Sequence, residues 1–268
     1  MKLINIGIFG LGNIGKELFV SLIDKFDLIE NTTGYKLNIS KVLVKDITKK
    51  RNVDIDKNLL TNDPEKILSN EEISIVIELI GGVENAYPLV KKALKSKKSI
   101  ITANKDLIAT HGIELFKLAK ENNVSIFFEA AVASGTPIIS TLMRDLSASN
   151  ISSIRGIING TSNFILSEMK DKQSEFKDAL KLAQDLGYAE PDPSNDITGL
   201  DACYKLAILT SLAFNTEITF EDIFVEGIEK IEKEDFDYAK ELGYTIKLLG
   251  ITENNNNKLL CRVHPMLL

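Results

Sequence analysis

The chain is 268 residues long, 44% hydrophobic and 26% charged, with a formal net charge of −6. That apolar fraction can fill one large core or two modest ones, which excludes a disordered chain. The acidic balance leaves no global basic field for nucleic acid or an anionic membrane, so any anionic ligand has to be gripped locally. The two cysteines, Cys203 and Cys261, lie in apolar runs without the close spacing of a zinc or redox motif. The opening MKLINIGIFGLG is too short and too glycine-punctuated for a secretory core, and no stretch has the length to span a bilayer. These features predict a soluble cytoplasmic protein.

In chain order, residues 3–9 form a β-branched run that predicts a strand. It leads through Gly10-Leu11-Gly12-Asn13-Ile14-Gly15 into a helical stretch, 13–26, whose Ile14, Leu18 and Leu22 recur every four residues and should face a sheet. Further strands are predicted at 40–44, 74–79, 99–102 and 125–129, with helices at 85–95 and 112–122. Alternating strands and helices are the pattern of parallel strands joined by crossover helices. Residues 1–135 are therefore expected to form a Rossmann-type doubly wound parallel sheet, with ligands at the carboxyl ends of its strands.

Beyond residue 135 the character changes. A strand-like run at 151–158 precedes helical stretches at 162–170, 175–186 and 200–213, and apolar runs at 244–251 and 258–263 flank an asparagine tract, 254–257. The tract reads as a hairpin turn, and residues 136–268 as a second, α+β domain. The lysine run at 91–98 reads as a solvated helix end.

The pattern G-x-G-x-x-G, following a predicted strand and opening a predicted helix, is the fingerprint of a dinucleotide site. Gly10 permits the tight turn, Gly12 lets the backbone approach a pyrophosphate and Gly15 lets the helix pack against its strand. Asn13 and Ile14 then present first-turn N–H groups to the anion. The second strand should end near the adenosine ribose, and here Val44-Lys45-Asp46 is followed by Lys49, Lys50 and Arg51. An acid there favours NAD and a cation accommodates the extra phosphate of NADP. The sequence offers both, and the basic run around Lys45 tips the reading towards NADP. The long interval between Gly12 and Lys45 implies an insertion around 31–36.

Lys105, beside Asn104, follows the strand at 99–102 and should emerge at its carboxyl end, suited to an anionic substrate or the cofactor. Glu190 lies in a proline-bounded loop, 189–193, that would present its carboxylate to a substrate amino group. Asp201 and Lys205 are spaced i, i+4 on one helix face, a spacing that by itself fits a plain helix salt bridge better than catalysis.

Five segments in unbroken order carry a family resemblance: GIFGLGNIG (7–15), IELIGG (77–82), TANKD (102–106), GIINGTSNFIL (156–166) and GYAEPDPSNDITGLDACYKLAIL (187–209). Together they resemble homoserine dehydrogenase. The resemblance implies a nucleotide domain, and a substrate domain whose sheet mediates assembly into a homodimer or a dimer of dimers. The implied reaction is NAD(P)H-linked reduction of L-aspartate 4-semialdehyde to L-homoserine in threonine, methionine and isoleucine biosynthesis. It further implies that Lys205 donates a proton, that Asp201 orients it, and that Lys105 stabilises charge or positions substrate. Glu190 and Asp201 would hold the amino-acid end, and Gly81 would join the cofactor site. In EAAVASGT (129–136), the positions Glu129, Val132, Ser134 and Thr136 match a stretch that binds a monovalent cation such as sodium, mainly through backbone carbonyls. A hinge of small residues needing no ion fits the same stretch.

Family members continue beyond the equivalent of Leu268, so the chain is expected to be a fragment with weakened or absent activity. An inactive dinucleotide-binding remnant, or a related dehydrogenase of another small aldehyde, is the rival reading. A cysteine-dependent thioester route is disfavoured, because Cys203 falls mid-helix and Cys261 in a strand.

Overall fold

The computed structural model describes residues 2–256 and 258–268. The chain divides into two compact units, residues 1–136 and 137–268.

The first unit runs β1 (Lys2–Phe9), α1 (Asn13–Asp24), α2 (Phe26–Thr33), β2 (Tyr35–Leu43), β3 (Leu60–Thr61), α3 (Glu65–Leu68), β4 (Ile73–Glu78), α4 (Ala86–Lys95), β5 (Ser99–Thr102), α5 (Lys105–Glu121) and β6 (Ile126–Phe127). Its six strands pair in parallel in the order β3-β2-β1-β4-β5-β6, the doubly wound arrangement that the alternating pattern predicts. Winding reverses between β1 and β4, and ligands in such sheets bind outside the carboxyl ends at that reversal. Being central, β1 is covered on both faces, so Ile6, Ile8 and Phe9 are all buried.

Four local departures from the sequence pattern have physical causes. The stripe of α1 is Gly15, Leu18, Phe19 and Leu22, whereas Ile14 is 66% exposed and Phe19 only 2%. Gly15 has to bring the first turn against β1, which turns Ile14 outward. The expected insertion is the helix α2 together with an early start to β2, whose first residues are polar and pair with the exposed beginning of β1. Helix α5 starts at Lys105, ahead of its apolar periodicity, because the Asn104 side chain caps it by accepting the Leu107 N–H at 3.1 Å. Strand β6 is cut to two residues by a 3₁₀ turn, Glu129–Ala131.

The second unit runs α6 (Ile138–Ser140), β7 (Ser153–Gly156), α7 (Gly160–Lys172), α8 (Phe176–Asp185), α9 (Ser194–Ile197), α10 (Leu200–Phe214), β8 (Phe224–Val225), α11 (Lys233–Glu241), β9 (Ile246–Asn255) and β10 (Lys258–Leu267). The mixed sheet is ordered β7-β9-β10-β8. Ile165 and Met169 of α7, Ala183 of α8, Leu206 of α10 and Phe236 of α11 share one core with Leu248 and Val263 of the sheet. Helix α11 escapes the periodicity argument because its nine charged-rich residues bury only Phe236 and Ala239. Strands β9 and β10 outrun their apolar stretches because their polar ends still pair in one antiparallel ladder. The asparagine tract sits at that junction, with Asn256 in the left-handed region, while Asn257 lies outside the described residues.

The α1 stripe gives a direct test. Phe19→Ala should lower the unfolding free energy by about 3–5 kcal/mol, and Ile14→Ala by less than about 0.5 kcal/mol. Urea denaturation followed by circular dichroism measures both, and equal losses would contradict the packing described.

Candidate functional site

The glycine corner is built by contacts that no side chain could survive. Gly10 has φ +98°, and a Cβ there would lie 2.7 Å from the Leu79 carbonyl oxygen. A Cβ on Gly15 would lie 2.6 Å from the Gly10 carbonyl oxygen, whereas one on Gly12 would meet nothing within 4 Å. Gly10 and Gly15 are thus closed against protein, and Gly12 is the open face. Gly12 also precedes α1 without capping it through a side chain, and the first turn holds no acid, so the helix start favours an anion.

This corner opens on a cleft of about 790 Å³. Gly10, Gly12 and Asn13 form one wall, Lys45 and the run Lys49, Lys50, Arg51 another, and Leu79 and Ile80 a third. Ile14, Gly15 and Gly81 stand outside the lining. Asp46 also faces the cleft, but one carboxylate oxygen is committed to its own turn. It accepts the Thr48 N–H at 2.7 Å, the Thr48 hydroxyl at 2.6 Å and the Lys49 N–H at 3.2 Å. The Thr48 hydroxyl bond, foremost among these, holds the Asp46 carboxyl below its ordinary range. Arg51 closes the loop by donating to the carbonyls of Asp46 at 2.6 Å and Lys49 at 2.9 Å. The basic run is therefore a folded turn presented to the cleft.

Lys105 occupies the first helical position of α5 rather than a strand-end turn. Its ammonium is 3.6 Å from the Asp106 carboxylate. The positive end of a helix opposes a cation, so an anion bound there would be favoured by the helix and the lysine together.

In the second unit, one amide organises the acids. Asn159, 5% exposed, caps α7 by accepting the Ser162 N–H at 2.7 Å. Its side-chain nitrogen donates to Asp196 Oδ1 at 2.6 Å and to Asp201 Oδ2 at 2.8 Å. Lys205 Nζ reaches the same Asp201 oxygen at 2.5 Å and the Ile158 carbonyl at 3.1 Å. Asp201 and Lys205 are therefore brought together, as the helical spacing requires, with Asn159 and Asp196 added to them. An asparagine just before Gly160 and a helical stretch is an N-cap signature, which is the signal that could have found Asn159. Asp196 carries no comparable signal.

Glu190 is exposed, and among the described residues its side chain makes no bond to this cluster. Its loop is nonetheless tied down, since the Gln184 amide reaches the carbonyls of Glu190 and Pro191, each at 3.3 Å.

At the end of the first unit, Glu129 opens the 3₁₀ turn and Val132 is extended. Ala133 and Ser134 follow in the left-handed region, at φ 57° and 51°. Two non-glycine residues in that region in succession are strained, a feature that collects at functional loops. The Thr136 N–H closes the turn onto the Ala133 carbonyl at 3.0 Å. Among the described residues no group of three or more His, Cys, Asp or Glu side chains is placed to hold a metal.

Cys203 is buried and Cys261 half-buried. Burial pushes the Cys203 thiol up to about 11 from 9.0, and burial likewise raises that of Cys261.

Residues 137–268 match the homoserine dehydrogenase family, and residues 10–129 match the homoserine dehydrogenase NAD-binding domain. The homoserine dehydrogenase of Bacillus subtilis is 46% identical over 268 residues, which is 100% of this chain and 62% of that protein. Among solved structures, the homoserine dehydrogenase of Thiobacillus denitrificans superposes with a TM-score of 0.93 at 45% identity, over 99% of this chain and 62% of that one. An Archaeoglobus fulgidus protein, provisionally named a homoserine dehydrogenase, superposes at 0.87 and 30% identity, over 99% of this chain and 84% of that one. The chain belongs to the homoserine dehydrogenase family. A hyperthermophilic archaeal homoserine dehydrogenase in complex with NADPH also superposes, at 0.80 and 28% identity, over 99% of this chain and 82% of that one. The chain spans about 62% of the length of its curated bacterial relative. No described helix is long and apolar enough to cross a membrane.

The thiols supply a test that separates this family's chemistry from a thioester route. A thiol raised in the fold contributes stability fully below its ordinary value near pH 9 and loses it as pH climbs towards about 11. At pH 8 the buried Cys203 thiol should therefore react with dithionitrobenzoate only when the chain is unfolded. Prompt labelling of Cys203 in the native protein would revive a nucleophilic cysteine.

Proposed function

We propose that this chain carries the NAD(P)H-dependent reduction of L-aspartate 4-semialdehyde to L-homoserine, a step of threonine, methionine and isoleucine biosynthesis in the cytoplasm. Residues 1–135 would bind the dinucleotide and residues 136–268 the substrate. The observation that carries this reading is the Asn159–Asp201–Lys205 cluster, whose buried amide and carboxylate hold a half-buried ammonium at a fixed place in a chain that also owns a glycine corner suited to a dinucleotide.

The cleft suits the cofactor chemically. An open Gly12 and an uncapped helix start accept a pyrophosphate, and Lys45 with its basic loop suits a 2′-phosphate, which favours NADP over NAD. That the archaeal relative was captured with NADPH supports the same choice. When bound, the reduced nicotinamide supplies a hydride to the aldehyde carbon.

Lys205 Nζ gives its proton to the oxygen that gains charge and is reprotonated from water. Asp201 and the Ile158 carbonyl hold Nζ in place for that transfer. The Asn159 amide holds Asp201, so the carboxylate cannot swing away with the lysine. Lys105 stabilises negative charge on the substrate or positions it. Glu190 and Asp201 take the substrate amino group. Sodium would be held by the loop of Glu129, Val132, Ser134 and Thr136, where oxygen donors from a small-residue turn suit a hard cation. The family's assembly as a homodimer or dimer of dimers is proposed for this chain as well.

Two measurements test this. With aspartate semialdehyde and NADPH followed at 340 nm, Lys205→Ala should lose at least about 100-fold in kcat while NADPH affinity stays within about twofold. Undiminished turnover would remove Lys205 from the chemistry. Lys45→Ala should raise the KM for NADPH about tenfold and that for NADH by less than about twofold. Equal effects on both would end the NADP assignment.

A further inference from the structure

The carboxyl end of β4 holds a carboxylate that neither the glycine corner nor the Asn159 cluster uses. Glu78 is the last residue of that strand and is 0% exposed. Its Oε1 accepts the N–H groups of Ile80 at 2.7 Å and Gly81 at 3.3 Å. Its Oε2 accepts the hydroxyl of Thr102, the last residue of β5, at 2.6 Å, and Thr102 Oγ1 accepts the Asn104 N–H at 3.0 Å. A carboxylate taken wholly out of water is expensive unless donors replace its hydration. Here the donors come from the segment after β4 and from the neighbouring strand end.

That segment is the third wall of the cleft. Leu79 and Ile80 line it, and the Leu79 carbonyl is what Gly10 packs against. Immediately beyond, Gly81 and Gly82 both turn left-handed, at φ +76° and +68°. Two peptide N–H groups directed at one buried oxygen fix the direction of this turn. Without that acceptor they would have to find water or another partner.

We infer that Glu78 is a positioning residue for the dinucleotide: its buried carboxylate sets the Leu79–Ile80 wall against the glycine corner. The inference rests on the reading that the cleft takes NAD(P)H. A carboxylate that merely joined β4 to β5 would affect stability and leave the affinity of the folded protein unchanged.

Glu78→Gln keeps the shape of the side chain but turns one acceptor into a donor, so the Thr102 hydroxyl or the two N–H groups lose their partner. Thr102→Val removes the hydroxyl alone, and Thr102→Ser retains it. The full chain is titrated with NADPH by nucleotide fluorescence, well below its unfolding midpoint, and then assayed at steady state. Glu78→Gln should raise both the Kd and the KM for NADPH about tenfold, with kcat at saturating NADPH within about twofold of the parent. Thr102→Val should move the same way, and Thr102→Ser should restore the parent values.

A folded Glu78→Gln with the parent Kd would overturn the inference. Should that variant fail to fold, an unchanged Kd in Thr102→Val overturns it equally. A parent chain that binds no NADPH defeats the cleft reading and this inference together. A parent that binds, with variants that bind equally well, defeats this inference alone.

Discussion

The first unit depends on one contact of backbone with backbone, Gly10 against the carbonyl of Leu79. It brings the end of β1 and the segment after β4 closer than any side chain allows, at the point where the winding of the sheet reverses. Gly15 repeats the device one turn along, pressing α1 onto the Gly10 carbonyl. With those two approaches made, the helix start aims at the space above β1, and Gly12 is the one corner glycine left facing outward. The exposed Ile14 and buried Phe19 follow from the same constraint, since the rotation of α1 is set by Gly15 and not by the most regular apolar stripe.

In the second unit the comparable constraint is polar. A single primary amide has two hydrogens, and Asn159 spends both on carboxylates while its oxygen caps a helix. Three elements, α7, α9 and α10, are thereby referred to one side chain. Lys205 then meets Asp201 with little freedom, because the carboxylate oxygen it reaches is already held. A charged pair largely withdrawn from water is tolerated when the surrounding hydrogen bonds are supplied, and here the amide and the Ile158 carbonyl supply them.

What the sequence showed was the part governed by period and by punctuation. The strands β1, β4 and β5 and the helix α4 are bounded by glycine, asparagine or charge, and each is found where its apolar period ends. The glycine corner was legible for the same reason, as was the pairing of Asp201 with Lys205, which helical spacing alone allows. The helix α2, the early start of β2 and the charged helix α11 were not legible, because each is held by tertiary packing on few buried residues. The position of Lys105 depended on the cap at Asn104, a side-chain to backbone bond that the apolar pattern does not register. Asn159 and Asp196 were invisible as partners, since residues so far apart in sequence converge only after α7, α9 and α10 have packed.

The turn that follows β2 carries a consequence for altering dinucleotide choice. Asp46 stands where an acid could grip ribose hydroxyls, yet one of its oxygens is the keystone of its own turn, bonded to Thr48 and Lys49. With that oxygen held, only the other is left to face the cleft, so any grip on a ribose there would rest on half of the carboxylate.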